Sequence, residues 1–364
     1  MNRAFSIYLD LVRFVAAALV YLWHSNQKAI VDGPVFAGGY GPSAVIVFFV
    51  LSGFVIAYVV DTKERGVRDY AASRLSRIYS VAIPALLLTP VLDAAGRALA
   101  PGLYGDFPFD QFLVRTLASL LLLNEVWFVS ITAFSNAPYW SIAYEGWYYV
   151  LFGVISFAPR RLRAALCLAL ACALGPKIVL LLPIWMAGVA LYHWQWPRSL
   201  SRFASGCLLV ASLVAIVAFH AYSISAQLSL AVKAWTGDWL HHELAYSKFF
   251  LGDWLLGLLV FANFVAMRNL APLWSRSFAA IEGPVRALAG YTFTLYLLHQ
   301  PVLMFWAAVL RGDPGGWLAW GLVTALTAVT IWLIGRWTEQ RRQTLRLAVS
   351  RLLMSNTKPA LEGP

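Results

Sequence analysis

Apolar and polar residues along this chain segregate into long blocks, without the two-residue alternation of a strand that wets one face. Ala44 to Val60, Ser247 to Met267 and Ala287 to Leu310 are blocks of this kind. A helix needs about twenty predominantly apolar residues to cross a bilayer. The pattern predicts crossings near 7–23, 43–60, 78–95, 139–158, 164–175, 178–194, 203–224, 248–267, 287–310 and 316–336. The segment 111–129 is apolar too, but it carries Arg115, Asn124 and Glu125. The expected fold is all-α: a polytopic transmembrane helical bundle of about ten membrane-spanning helices plus one re-entrant or interfacial helix.

Composition leaves no room for a soluble domain beside this bundle. Of 364 residues, 60% are hydrophobic and 12% charged, and a soluble domain carries about twice that charged fraction. Residues 1–340 are expected as one membrane-embedded domain, and 341–364 as a cytoplasmic tail, basic and then polar, that frays toward Pro359 and Pro364. The net charge of +11 would suit nucleic acid if it formed one patch. It is instead divided among short clusters between apolar blocks: Arg65, Arg68, Arg74 and Arg77; Arg160, Arg161 and Arg163; Arg198 and Arg202; Arg341, Arg342 and Arg346. Such clusters stay on the cytoplasmic side, so the bulk partner is anionic lipid and not nucleic acid.

The same rule selects the segment that does not cross. The basic loop 61–77 and the cluster at 160–163 must share a side, so an even number of crossings separates them. Three candidates lie between, and 111–129 is favoured over 78–95 as the one that stays back, because irregular backbone at membrane depth is tolerated where it lines protein. Both termini are then cytoplasmic, and 96–138 and 225–247 are the longest outer loops. Cys167, Cys172 and Cys207 lie in apolar spans without metal-ligand spacing, so neither a metal nor a disulfide framework is expected. The first apolar segment lacks a signal-peptide cleavage pattern and is expected to remain as a helix. Nothing in the chain fixes an oligomeric state.

Ionisable groups inside spans are costly, and each is a candidate for function. The first span holds Asp10, Arg13 and His24. Arg13 and His24 are eleven residues apart, three turns plus about 20°, so they share a face about 16 Å apart along the axis. Asp10, three before Arg13, lies on nearly the same face. A structural ion pair explains Asp10 and Arg13 equally well, but the continuous stripe favours function for His24. Glu145 lies about two turns into a span that enters from outside, at the level expected for His24. A carboxylate there would orient an imidazole and raise its basicity, as a general base requires. His299 precedes Pro301 and would serve chemistry or merely fill the hydrogen-bonding gap the proline leaves. Ser52-Gly53 suits close helix packing, and Tyr148 and Tyr149 suit an interfacial belt. Arg74 and Arg77, at i and i+3, could grip phosphate groups, though topology alone would also place them there.

Taken together, these segments resemble the acyltransferase 3 family. The run Leu9-Asp10-Leu11-Val12-Arg13 through Trp23-His24 is similar to its opening helix, and Phe48-Phe49-Val50-Leu51-Ser52-Gly53 to its second. Arg74 with Arg77, Trp140-Ser141 with Glu145, and Tyr296-Leu297-Leu298-His299 with Pro301 follow in the family's order. Two places depart from it: Ala44-Val45-Ile46 stands where an acidic residue is common, and Glu339-Gln340 where an acidic–proline pair is. No appended esterase-like domain is expected.

The resemblance implies transfer of an acyl group, usually acetyl, from cytoplasmic acyl-CoA to a hydroxyl of a cell-surface or lipid-linked carbohydrate, with no bound cofactor. The expected setting is a bacterial inner membrane. Arg74 and Arg77, with Arg13 and Asp10, are expected on the donor side, and His24 with Glu145 as the catalytic pair. Trp140, Ser52, Tyr296 and His299 are expected to bind the acceptor or support the site. A transporter or flippase for a glycan precursor is the rival reading, since intramembrane His, Arg and Glu also mark transport paths. It predicts inverted repeats, and the chain has none that we detect. A non-catalytic subunit of a polysaccharide complex is the third.

Overall fold

The structure, a computed structural model, describes residues 1–355 apart from 28, 29, 32, 38, 195–199 and 311–315. Arg198, Pro359 and Pro364 lie outside the described residues. Among the described residues the regular structure is helical, with no β-strand. The first three helices are α1 (Arg3–Ser25), α2 (Gly41–Lys63) and α3 (Val67–Leu99). A short α4 (Phe112–Leu120) precedes α5 (Trp140–Phe157), α6 (Arg160–Leu174), α7 (Pro176–His193) and α8 (Arg202–Ala221). Then come α9 (Ile224–Glu243), α10 (Phe250–Leu270), α11 (Ser275–Ala289), α12 (Thr292–Leu310), α13 (Trp317–Trp337) and α14 (Arg342–Ser355).

Eight helical stretches among the described residues, which contain α1, α2, α3, α7, α8, α10, α12 and α13, are long and apolar enough to cross a membrane. The chain is an integral membrane protein. The two remaining predicted crossings fall short for physical reasons. α6 has 15 residues, under the length a 30 Å hydrocarbon core demands. α5 has 18, but its first ten residues carry Glu145, two tryptophans and three tyrosines, residues that belong to a site as much as to a bilayer.

Several boundaries differ from the sequence expectation. The basic segment 61–77 is mostly helix: α3 starts at Val67 behind Gly66, with Asp69 in its first turn, so Arg74 and Arg77 ride on α3 itself. The predicted outer loop 225–247 forms α9, which breaks at Gly237 (φ 78°). The predicted span 287–310 is interrupted at Gly290-Tyr291, between α11 and α12. The tail expected to fray continues as α14 and packs against α3.

Over 111–129 only α4 is regular, nine residues long, and the chain then runs irregularly to Trp140. This irregular stretch is folded into the bundle, with Asn124, Glu125, Ser135, Asn136 and Tyr139 all buried. Its backbone is held from outside the segment. The Asp93 carboxylate accepts from Ser135 N (2.9 Å) and Oγ (2.5 Å), and Asn136 Nδ2 donates to Leu297 O at 2.8 Å. Because this loop is sunk into the protein, α5 begins already deep in the bundle.

α2 and α7 pack backbone to backbone. A Cβ at Gly53 would collide with Trp185 O, and one at Gly188 with Val50 O. Small residues at both positions let the helices close, as membrane helices do without a hydrophobic drive between them. α12 touches α1, α3 and α13, so its residues look into the centre.

Candidate active site

Two polar centres lie along α1. The first surrounds Arg13. Arg13 Nη1 meets Asp10 Oδ1 at 3.1 Å, and the other oxygen of Asp10 takes Arg286 Nη1 at 3.2 Å. Asp10 therefore ties α1 to α11, which is the ion-pair role open to it from the sequence. Arg13 also lines a narrow cavity with Ser52, Arg77, Ser141, Glu145 and Tyr296. Its volume is about 40 Å³, room for one or two water molecules.

Glu145 is the hub of that cavity. Ser52 Oγ donates to its Oε1 at 2.7 Å, and the Tyr149 hydroxyl donates to the same oxygen. Arg77 lines the same cavity and interacts electrostatically with the carboxylates of Glu145 and Glu339. Tyr149 sits at i+4 from Glu145, one turn on along the same face of α5, and it is buried. The sequence alone suits this tyrosine to an interfacial belt; its helical spacing from Glu145 is the signal that points to the cavity instead.

The second centre is a histidine pair. His299 Nε2 lies 3.0 Å from His24 Nδ1. Hydrogen-bond partners assign the tautomers. His299 Nδ1 faces only carbonyl oxygens, Leu295 O at 3.0 Å and Tyr296 O at 2.8 Å, so it carries the proton. In a neutral ring Nε2 is then a lone pair, and His24 Nδ1 must donate to it. Val20 O, 2.9 Å from His24 Nδ1, shares that proton. The result is a His24 ring whose Nε2 is free to accept a proton. His299 is fully buried and His24 partly so.

Pro301 does not account for His299. The carbonyl that Pro301 leaves unpaired is Leu297 O, and Asn136 takes it. His299 is thereby left to hold His24.

The expected partnership of His24 with Glu145 is replaced by His24 with His299. Depth is the reason. Gly41 packs on Trp23, so the start of α2 is level with His24. Ser52 is eleven residues further along α2, about 16 Å away. Ser52 binds Glu145, so Glu145 lies at the level of Arg13 and not of His24. The expected span begins at 139 and puts Glu145 about two turns in, whereas the sunken 121–139 loop starts α5 deeper.

The other candidates are placed as follows. Tyr296 Oη and Ser141 Oγ are 2.6 Å apart, and Tyr296 lies one turn before His299 on α12, between the two centres. Trp140 stacks on Tyr246, ring centroids 4.3 Å apart and planes at 8°, so one of its faces is already covered. Arg74 is gripped by both oxygens of Glu64 (2.7 and 2.8 Å) and lies over the Tyr70 ring, which leaves little of its charge unspent. Among the described residues no group of His, Cys, Asp and Glu could hold a metal ion.

A family model described as an acyltransferase domain matches residues 6–336, nearly the whole chain. No curated protein and no solved structure matches it.

Proposed function

Because this chain belongs to the acyltransferase 3 family, and is an acyltransferase, we propose that it transfers an acetyl group from cytoplasmic acetyl-CoA to a carbohydrate hydroxyl presented at the opposite face of the membrane. The observation that carries this reading is the hydrogen-bond pattern that leaves His24 Nε2 unprotonated. A base poised for a hydroxyl proton is what acyl transfer to an alcohol needs, and a passive subunit does not.

In this reading the acceptor hydroxyl gives its proton to His24 Nε2 while its oxygen attacks the thioester carbonyl. The C–S bond then breaks, and the leaving thiolate takes the proton back from His24. His299 positions His24 through the Nδ1–H bond and stabilises the ring while it is charged. Arg13 and Arg77, about three turns away, hold the phosphate-bearing end of the donor, with Glu145, Ser52 and Tyr149 setting the cavity wall between. The basic clusters argue that this end faces the cytoplasm, with both termini there, and the family resemblance suggests a bacterial inner membrane. The acceptor class is the one the family resemblance suggests.

The test is purified protein in detergent with acyl-labelled acetyl-CoA and a panel of cell-surface glycans. Alkali-labile label on a glycan is the expected outcome. Absence of CoA binding together with absence of ester would refute the reading.

A further inference from the structure

Past α13 the chain makes one turn that is pinned to the start of α12. The Glu339 carboxylate accepts from Thr294 N at 3.0 Å and Thr294 Oγ1 at 3.1 Å, and Gln340 Nε2 donates to Gly290 O at 3.2 Å. Thr292 and Phe293, beside these anchors, line the Arg13 cavity. The next helical residue is Arg342, and α14 then runs along α3. This arrangement sets Arg342 among the guanidinium groups of Arg77, Arg74 and Arg346.

Like charges so close repel unless each is balanced. Arg74 is balanced by Glu64, and Arg13 by Asp10. Arg342 has no carboxylate within ion-pair distance among the described residues, and its buried Nε–H has no acceptor. The Nε–H of Arg13 is equally without one. Other buried arginines share an unpaired Nε–H, but Arg342 combines it with guanidinium neighbours and no paired carboxylate among the described residues, a setting that a phosphate oxygen would satisfy. We propose that Arg342 binds the phosphate groups of the CoA donor, so that α14, beyond the segment the family resemblance covers, completes the donor site. The inference rests on the reading above that acyl-CoA is the donor.

The experiment measures CoA affinity by calorimetry in a nonionic detergent, for the wild type, Arg342→Gln, Arg342→Lys and Arg351→Gln. Arg351 is exposed at the far end of α14 and controls for bulk charge and for docking of the helix. S-acetyl-pantetheine, which lacks the nucleotide phosphates, is titrated as the second probe. Loss of one charge-assisted bond predicts CoA affinity at least about tenfold weaker in Arg342→Gln. Arg342→Lys should recover part of it, Arg351→Gln should match the wild type, and the pantetheine probe should bind all four proteins alike.

Unchanged CoA affinity in Arg342→Gln overturns the proposal, and so does an equal loss for both probes, which would mean α14 is only structural. Repeating the titrations with added phosphatidylglycerol tests the other source of phosphate. If Arg342→Gln altered only the competition by that lipid, Arg342 would be a headgroup site and the proposal would fail. A wild-type protein that binds no CoA would remove the donor reading itself, a result distinct from failure at Arg342.

Discussion

Two buried clusters of positive charge differ in how their donors are filled. Lys177, fully buried on α7, donates to Glu125 Oε2 (2.7 Å), Val129 O (2.5 Å) and Ser130 Oγ (2.8 Å). An ammonium has three protons, and each has its acceptor. In the Arg13, Arg77 and Arg342 cluster, Asp10, Glu145 and Glu339 face Arg13 and Arg77, but Arg342 has no carboxylate within ion-pair distance among the described residues, and the Nε–H groups of Arg13 and Arg342 are unpaired. Lys177 closes a circuit that fastens the 121–130 loop to α7, and nothing else needs to bind there. The arginine cluster is a circuit left open. The expense of burying charge is similar in both places; what separates structure from site is whether the protein itself satisfies it.

The largest effect belongs to the histidine pair, which lies outside both clusters. His24→Ala should reduce turnover by at least about 10²–10⁴-fold, the range a positioned base supplies. On the proposed reading CoA affinity should hold, because the phosphate end would be bound about three turns away. Transfer of labelled acetyl and CoA titration on the same preparation measure both. Near-normal turnover would place the base elsewhere.

Lys177→Met tests the closed circuit. Removing one partner of a buried pair costs about 3–5 kcal/mol of stability. Thermal unfolding in detergent should show that loss, while the folded protein keeps its CoA affinity. The deficit should also depend on pH. Burial pushes the Glu125 carboxyl up to about 7, against the downward pull of Lys177. A carboxyl raised on folding contributes stability that is fully present below its unfolded value of 4.5 and is lost as pH rises through about 7. Without Lys177 the rise is greater, so the Met variant should suffer most above pH 7 and recover part of its deficit toward pH 5. A weakened affinity for CoA in this variant, at full stability, would break the distinction between the two clusters.

Legibility in the sequence followed the same divide between local and non-local information. The spans of α1, α2, α7, α8, α10 and α13 are readable because twenty apolar residues in a row need no partner to declare themselves. The stripe of Arg13 and His24 is readable because it depends on one helix's periodicity. What one helix cannot tell is depth relative to another. The level of Glu145 therefore differs from the sequence expectation, and the role of His299, 275 residues from His24, needs the fold to be assigned. α9 was hidden by its polar positions and Gly237, and α14 by its low hydrophobicity. The Asn136 bond that frees His299 required knowing that the loop folds inward. Tyr149 was within reach, one turn from Glu145, and was missed by reading aromatic residues as a belt.

The smallest predicted effect sharpens the comparison from within the open cluster. Glu145 contributes negative charge to a cavity that otherwise carries Arg13 and Arg77. In Glu145→Gln the amide oxygen can still accept from Ser52 and Tyr149, so the fold should be retained. The cavity gains one net positive charge, and a phosphate-bearing donor should bind more tightly. Partial screening limits that gain to about two- to fivefold. Turnover should change by no more than a similar factor, because His24 keeps His299 as its partner. CoA titration and acetyl transfer on the purified variant give both numbers. If turnover instead fell a hundredfold at constant donor affinity, the carboxylate would be acting on the reacting atoms, and the separation of the His24 centre from the arginine cavity would be wrong.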